Sequence, residues 1–163
     1  MLELLVVAGT LAAALGCGLI AGVFFAFSSF VMQALAHIPC AEGIRAMQSI
    51  NRVVLRSWFL VVFLGTAAVC ALLLVYAVLR WQAPDSAWLV GGALLYLAGS
   101  LLVTIACNVP RNEALDALDA ARPESDAPWR DYVTGWSLWN HVRTVASLAA
   151  AAALTLALLQ RSG

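Results

Sequence analysis

The sequence contains no lysine and carries few charges of either sign. Charged residues make up 11% of the 163 residues, against about 25% in soluble globular proteins. The nine arginines and nine acidic residues cancel, so the chain lacks the basic field that holds nucleic acid. Apolar residues make up 63% of the chain, and the mean hydropathy is +0.91. A soluble fold of this size could not bury so much apolar surface, so the composition indicates a membrane protein.

Several chemical signatures are also missing from the sequence. The four cysteines (Cys17, Cys40, Cys70 and Cys107) form no CxxC pair and are expected to act as small apolar residues. The two histidines are far apart, which gives little support to a metal site built by the protein alone. No glycine-rich nucleotide-binding motif occurs. We therefore expect no cofactor, although a haem or a metal held through His141 is left open, because haem needs only one or two histidine ligands.

Four uncharged stretches predict the fold. A membrane-spanning helix needs about 20 residues, and lipid forces each span to satisfy its backbone internally as a helix. We predict one all-α domain over residues 1–163, an integral membrane four-helix bundle with a polar pocket at its long-loop end. The predicted spans cover residues 4–36, 57–79, 86–109 and 136–160, and the predicted loop helices cover residues 41–56 and 111–121.

The arginines predict the orientation of the bundle. Seven of the nine lie in the two long connections, residues 37–56 and 111–143, which four spans place on one side. Positively charged loops usually remain in the cytoplasm. The lack of lysine points to a GC-rich genome and hence a bacterium. We therefore expect a multi-pass protein of the bacterial inner (plasma) membrane, surrounded by lipid, with its long loops in the cytoplasm.

Small residues recur every four positions along the first span, at Ala14, Gly18, Gly22 and Ala26. Such a stripe allows two helices to approach closely. We expect it to pack within the bundle, with a homo-oligomer through this face as the alternative.

Polar residues crowd one end of otherwise apolar spans. Before the second span, Gln48, Asn51 and Arg52 fall on one helical face. The third span ends in Asn108-Val109-Pro110-Arg111-Asn112, where Pro110 predicts a helix break and a restart that Asn108 could cap.

The fourth span begins with a second polar group. Trp136, Asn140 and Arg143 share one face, and His141 lies about 100° around the helix from Asn140. Ionisable groups within a span are costly and usually face a cavity or each other. We therefore expect these groups to line a pocket, with His141 as general acid or base and with Arg111 and Arg143 stabilising an oxyanion.

Four segments together resemble the anthrone oxygenase-like family of four-span membrane proteins, a group also described as a domain of unknown function. They are Gly22–Ser28, Ala46–Arg52, Asn108–Asn112 and the run Trp129…Tyr132…Trp136…Trp139-Asn140-His141-Val142-Arg143-Thr144. The resemblance covers nearly the whole chain, and the segment containing Trp139-Asn140-His141 is its most specific part. Arg111 departs from the pattern, which often has an uncharged residue there.

The resemblance implies a monooxygenase-type oxidoreductase that oxidises an anthrone-like or other phenolic polyketide aromatic to the quinone with O2 and no cofactor. It implies catalytic roles for His141, Asn140 and Arg143. The residues expected to contact the substrate are Phe25, Ser28, Gln48, Asn51, Arg52, Asn108, Arg111, Asn112, Tyr132, Trp136 and Trp139. Two alternatives are non-catalytic binding or transport of a quinone, lipid or small aromatic molecule, and a scaffold in which the polar cluster only locks the fold.

Overall fold

The computed structural model describes residues 1–162, and these residues form five helices and no strand. Four helices are long and apolar enough to cross a membrane, as the uncharged stretches predict. In chain order the helices are α1 (Leu2–His37), α2 (Cys40–Val54), α3 (Trp58–Leu79), α4 (Ser86–Asp116) and α5 (Asp126–Ser162). A short 3₁₀ turn, Pro123–Ser125, precedes α5.

The four long helices form a closed antiparallel bundle. Helix α1 packs against α5 and α3, and α4 packs against the same two helices. Between them lies an apolar core that includes the fully buried Ile20, Leu89, Tyr96 and Leu154. Because successive spans run in opposite directions, both termini lie at one end, and α2 and the segment before α5 lie at the other, here called the long-loop end.

The outer surface of the bundle is apolar. Leucines on all four spans are more than half exposed, among them Leu15, Leu72, Leu102 and Leu148. Such a surface would be unstable in water and suits the hydrocarbon core of a bilayer. The fold is therefore that of a multi-pass helical membrane protein.

Glycines set the closest approaches between spans. A Cβ on Gly92 would lie 2.8 Å from Leu154 Cγ, and one on Gly99 would lie 2.5 Å from Ala146 Cβ. A Cβ on Gly16 would overlap Thr66 Oγ1. The prediction that Gly18 and Gly22 pack within the bundle is wrong, because a Cβ on either would meet nothing within 4 Å in the described chain.

The predicted helix break at Pro110 does not occur. Helix α4 continues to Asp116, and Asn108 keeps a right-handed helical conformation with no side-chain cap. The turn before the proline, Thr104–Asn108, is π-helical, as is Leu97–Leu102. A π turn shifts the backbone hydrogen bonds to five-residue spacing, which accommodates a residue that lacks an N–H donor.

A second apolar core closes the long-loop end. Helix α2 buries Ile44 and Met47 against Leu115 of α4 and Trp129 of α5. A Cβ on Gly43 would lie 2.8 Å from the Trp129 ring, so this glycine lets α2 rest directly on the indole. The two cores leave a layer between them, and this layer contains the buried polar side chains Asn108, Asn140, Arg143 and Thr144.

An ion-pair network ties the terminal end together. Arg161 at the end of α5 pairs with Glu3 at 2.8 Å and with the buried Asp85 at 3.3 Å. Arg80 pairs with the same Glu3 at 2.7 Å, and both arginines donate to the Tyr76 hydroxyl at 2.6 Å. These residues come from all four spans or their immediate ends, so the network fixes how the spans meet at this end.

Candidate functional site

The amide of Asn140 is the centre of the buried polar layer. Asn140 is fully buried, and its Nδ2 donates to the Phe24 carbonyl at 2.7 Å and to Ser28 Oγ at 2.8 Å. Its Oδ1 accepts a 2.7 Å hydrogen bond from Arg143 Nη2. Thr144 adds a contact of 3.2 Å to Ser28 Oγ. One side chain of α5 therefore holds both α1 and the Arg143 guanidinium.

Arg143 is a buried cation with neutral partners. Its side chain is 5% exposed, and Nη1 donates to Thr104 Oγ1 at 3.2 Å. The guanidinium carbon lies 4.2 Å from the Phe24 ring centroid and 5.1 Å from that of Trp136, within the range of cation–π attraction. Within residues 1–162 no carboxylate forms an ion pair with it. The charge is oriented but not neutralised.

Unpartnered polar atoms accompany this cation. Arg143 Nε, Trp136 Nε1 and Asn51 Nδ2 are buried N–H donors that find no hydrogen-bond acceptor in the described chain. Asn108 Oδ1 is likewise buried without a donor, although its Nδ2 donates to the Trp136 carbonyl at 3.3 Å. Buried polar groups are normally satisfied, so several in one layer call for an explanation. The free N–H groups of Arg143 and of the Trp136 ring beside it form an environment that favours a negatively charged oxygen.

Stacked aromatic rings connect this layer to the surface. Trp129, Tyr132 and Trp136 stack in series along α5, with centroid separations of 5.7 and 6.3 Å. The Tyr132 hydroxyl donates to Asn112 Oδ1 at 2.9 Å and lies beside the Asn51 side chain. The Tyr132 ring therefore contacts Trp136 on the side of the buried layer, and its hydroxyl lies next to Asn51 of α2.

A groove of about 480 Å³ opens against Tyr132 at the long-loop end. Its volume falls within the range of small-molecule sites, roughly 300–1,000 Å³. It is lined by Arg111, Ala114, Leu115, Leu118, Pro128, Asp131, Tyr132 and Gly135. The groove therefore combines apolar walls with one cation, one carboxylate and one phenol.

The polar residues of α1 and α4 lie in π-helical turns. Ser28 belongs to the turn Phe27–Val31, and Thr104 and Asn108 belong to Thr104–Asn108. Phe24 lies just before the first turn, and its carbonyl accepts the Asn140 amide. Because π turns rearrange the backbone hydrogen bonds, they free carbonyls for side chains, and they occur often at functional sites.

Two other predicted site residues, Gln48 and Arg52, lie between α2 and α4. Gln48 Nε2 donates to the carbonyls of Leu115 and Leu118, at 3.0 and 3.1 Å, near the end of α4. Arg52 forms an exposed ion pair with Asp116 at 3.2 Å. These two residues join α2 to α4 and do not reach the buried layer.

Three predicted residues lie outside the cluster. The His141 side chain is exposed and has no hydrogen-bond partner among the described residues. Phe25 is 61% exposed on the outer surface of α1, and Trp139 is half-buried outside the stack of aromatic rings. Because His141 is the next residue after the inward-facing Asn140, the 100° helical step turns it away from the bundle axis.

The sequence reasoning missed several buried hydroxyl groups. Ser100 and Ser147 are fully buried, and their hydroxyls find no partner in residues 1–162. Thr104 links Arg143 to the Ser100 carbonyl. The spacing of residues 100, 104 and 108 by four was the available signal, since it places all three on one face of α4.

No group of three or more His, Cys, Asp or Glu side chains within residues 1–162 is arranged to hold a metal ion. The polar layer instead contains arginine, amides and hydroxyls, which are ligands for oxygen-bearing organic molecules.

The fold and the site together define a four-span membrane protein with a buried arginine and, at its long-loop end, a groove with apolar walls, Arg111, Asp131 and Tyr132. The family model described as Anthrone oxygenase matches residues 58–153, more than half of the chain. The chain belongs to the anthrone oxygenase family, and the matched segment contains Asn108, Trp136, Asn140 and Arg143. No curated protein and no solved structure matches the chain.

Proposed function

We propose that the protein oxidises an anthrone-like or other phenolic aromatic molecule to the quinone with O2, inside the membrane. Family membership supports an oxygenase function, and one observation supports this chemistry in particular. The Arg143 cation is buried without a carboxylate partner in the described chain, and the Trp136 ring beside it has an N–H donor that lacks an acceptor. Such an arrangement stabilises an organic oxyanion more than its neutral parent.

The proposed reaction begins with loss of a proton from the CH2 group of the anthrone. The charge moves to the carbonyl oxygen, which would enter the buried layer from the groove and accept hydrogen bonds from Arg143 and Trp136. The electron-rich ring carbon then forms a bond to O2 and gives a peroxide. The peroxide takes up a proton and loses water as the second C–H proton leaves, so substrate and O2 become quinone and H2O. O2 is the oxidant, and the scheme needs no resident cofactor.

The proton acceptor that we propose is the Asp131 carboxylate. Asp131 is exposed and lines the same groove as the apolar Leu115, Leu118 and Pro128, against which the substrate rings would lie. The His141 side chain is exposed outside the polar layer, so the proposal does not use it as the acid–base group. In this proposal Asn140 is a positioning residue, because it holds the Arg143 guanidinium.

The test is O2 uptake and quinone absorbance with anthrone in detergent, comparing wild type, Arg143→Lys, Asp131→Asn, His141→Ala and a protein-free blank. We expect wild type and His141→Ala to exceed the blank equally. Arg143→Lys keeps the charge but loses the planar fork, and we expect its rate to fall about 10²–10³-fold. Asp131→Asn changes an exposed side chain, so its expected loss of rate would not reflect unfolding.

Three outcomes would contradict the proposal. Wild type at the blank rate, with retained quinone binding, would favour the binding or transport function. A loss of activity in His141→Ala alone would restore His141 as the acid–base group. Full activity of a folded Arg143→Lys protein would remove the oxyanion role.

We also propose that the long-loop end faces the cytoplasm of a bacterium. Arg80 and Arg161, at the other end, are tied up in ion pairs with Glu3 and Asp85, whereas most arginines at the long-loop end are exposed. In this orientation the C-terminus lies outside the cytoplasm. Alkaline phosphatase fused to the C-terminus should therefore be active, whereas a reporter that works only in the cytoplasm should be inactive when fused there. The reverse pattern would contradict it.

A further inference from the structure

Arg111 places a cation in the wall of the groove at the long-loop end. The neighbouring walls are apolar and include Leu115, Leu118 and Pro128. The side chain is half-buried, and its Nη1 donates to the Cys107 carbonyl one turn earlier in α4. This hydrogen bond occupies one of the five guanidinium donors.

Gly135 makes room for this guanidinium. A Cβ at Gly135 would lie 3.0 Å from Arg111 Nε and 3.7 Å from Nη2, so the planar group rests directly on the backbone of α5. The guanidinium therefore lies between α4 and α5 at the groove.

The charge of Arg111 is also left without a partner. Arg111 forms no ion pair in the part of the chain that the structure describes. Arg45, Arg56 and Arg130 also form none there, but they are exposed, whereas Arg111 is half-buried in the groove wall. Asp131 lines the same groove without pairing with it. Asp131 precedes Gly135 by four residues, so about one helical turn, roughly 5.4 Å, separates the two positions along α5.

We propose that the aromatic substrate carries a carboxylate and that Arg111 binds it. This proposal rests on the proposed function and specifies its substrate class. The carboxylate would accept hydrogen bonds from the free edge of the guanidinium, and the rings would lie on Leu115, Leu118 and Pro128. The acidic CH2 group would then point away from Arg111 towards Asp131. The two opposite charges in one groove thereby select a ligand that is anionic at one end and gives up a proton at the other.

The experiment measures binding, so it does not depend on turnover. Anthraquinone-2-carboxylate and neutral anthraquinone are titrated into protein in phosphatidylcholine nanodiscs, with quenching of tryptophan fluorescence as the signal. Trp129 and Trp136 stack on either side of the groove residue Tyr132, so they report on ligand there. We expect wild type to bind the acid about tenfold or more tightly than the neutral compound, as for a charge-assisted hydrogen bond.

The variants locate this preference on the groove. Arg111→Gln should bind both compounds equally, and Gly135→Ala should reduce the preference by displacing the guanidinium. Arg130→Gln is the control, because it removes an exposed arginine of α5 that does not line the groove. This variant should keep the wild-type preference. Equal affinities in wild type, or a preference that survives in Arg111→Gln, would overturn the proposal.

Two further arms separate the remaining explanations. An anionic phosphatidylglycerol bilayer repels the acid from wild type and Arg111→Gln alike, so in that lipid the preference of wild type is compared with that of Arg111→Gln. Loss of the difference between the two proteins would mean that an anionic lipid occupies Arg111 and would overturn the proposal, whereas an unchanged difference supports it. Turnover is then compared for anthrone and its 2-carboxylic acid. A protein that prefers the acid in binding but oxidises neither compound would contradict the proposed function and support the carboxylate site. Equal oxidation of both compounds would support the proposed function and contradict the carboxylate site.

Discussion

Arg143 donates a 2.7 Å hydrogen bond to the side-chain oxygen of Asn140, one turn earlier on the same helix. The other end of that amide is held by the Phe24 carbonyl and Ser28 of α1. Asn140 therefore fixes the direction of the guanidinium without cancelling its charge, which a carboxylate would do. A buried charge that is oriented but not neutralised is costly to the fold and remains able to attract an anion.

Replacing Asn140 with Ala should destabilise the protein by about 1–3 kcal/mol or more. The change leaves a buried arginine donor and the Phe24 carbonyl without their partner, and each such group costs its desolvation free energy. The check is the melting temperature in detergent. His141→Ala alters the adjacent exposed residue and should melt with wild type. Equal destabilisation by both variants would show that position along α5, and not the amide, determines the effect.

Tyr132→Phe should lower the oxidation rate more than the stability, because the hydroxyl holds in place a ring that lines the groove. The substitution removes the hydroxyl that donates to Asn112 at 2.9 Å but keeps the ring between Trp129 and Trp136. One neutral hydrogen bond contributes about 0.5–1.5 kcal/mol to stability, so the fold should survive. Steady-state rates with anthrone are measured beside melting curves. A large fall in melting temperature with an unchanged rate per folded molecule would assign the hydroxyl a structural role.

Gly16→Ala should destabilise the bundle by about 1–3 kcal/mol through overpacking, because the new methyl group overlaps Thr66 on α3. Gly18→Ala is the matched control on the same helix, since its Cβ meets nothing within 4 Å among residues 1–162. Alanine also has the higher helix propensity, so this control should melt at or above the wild-type temperature. Destabilisation by Gly18→Ala in detergent would mean that another chain covers this face.

Arg161→Gln should weaken the terminal end of the bundle. It removes the ion pair to Asp85, whose side chain is 7% exposed, and leaves that carboxylate buried without its cation. Breaking a fully buried pair costs about 3–5 kcal/mol, and the partial exposure of Arg161 places the expected loss at or below that range. Arg122→Gln breaks an exposed pair with Asp119 and should change stability little. The melting temperatures of the two variants, Arg161→Gln and Arg122→Gln, are compared with wild type at low and high salt.

Much of the fold could be predicted from the sequence, because the bilayer imposes simple rules. Uncharged stretches of spanning length had to become helices, and α3 runs over Trp58–Leu79, within one residue of its predicted start. The prediction failed at Pro110, where local propensity indicated a break. Packing against α5 and the preceding π turn keep α4 helical there, and in such cases tertiary contacts override propensity.

The candidate site could be predicted only in part. Helical spacing already placed Trp136, Asn140 and Arg143 on one face, and these three side chains do lie together in the structure. The spacing did not determine whether that face of α5 points into the bundle. His141 was therefore included in the predicted site only because of its chemistry. Nor did the sequence indicate the π turns that bring Ser28 and Thr104 into the layer, because π turns have no simple residue signature.

The sequence by itself determined a membrane protein of four helices, because its uncharged stretches can be satisfied only as spans in lipid. It also determined that arginine, amides and aromatic rings gather at one end. Only the tertiary structure decided which side chains face each other. The rotation of each helix about its axis depends on where its neighbours can approach, and those approaches occur at Gly16, Gly92 and Gly99. That rotation buries Asn140 and Arg143 and leaves His141 exposed.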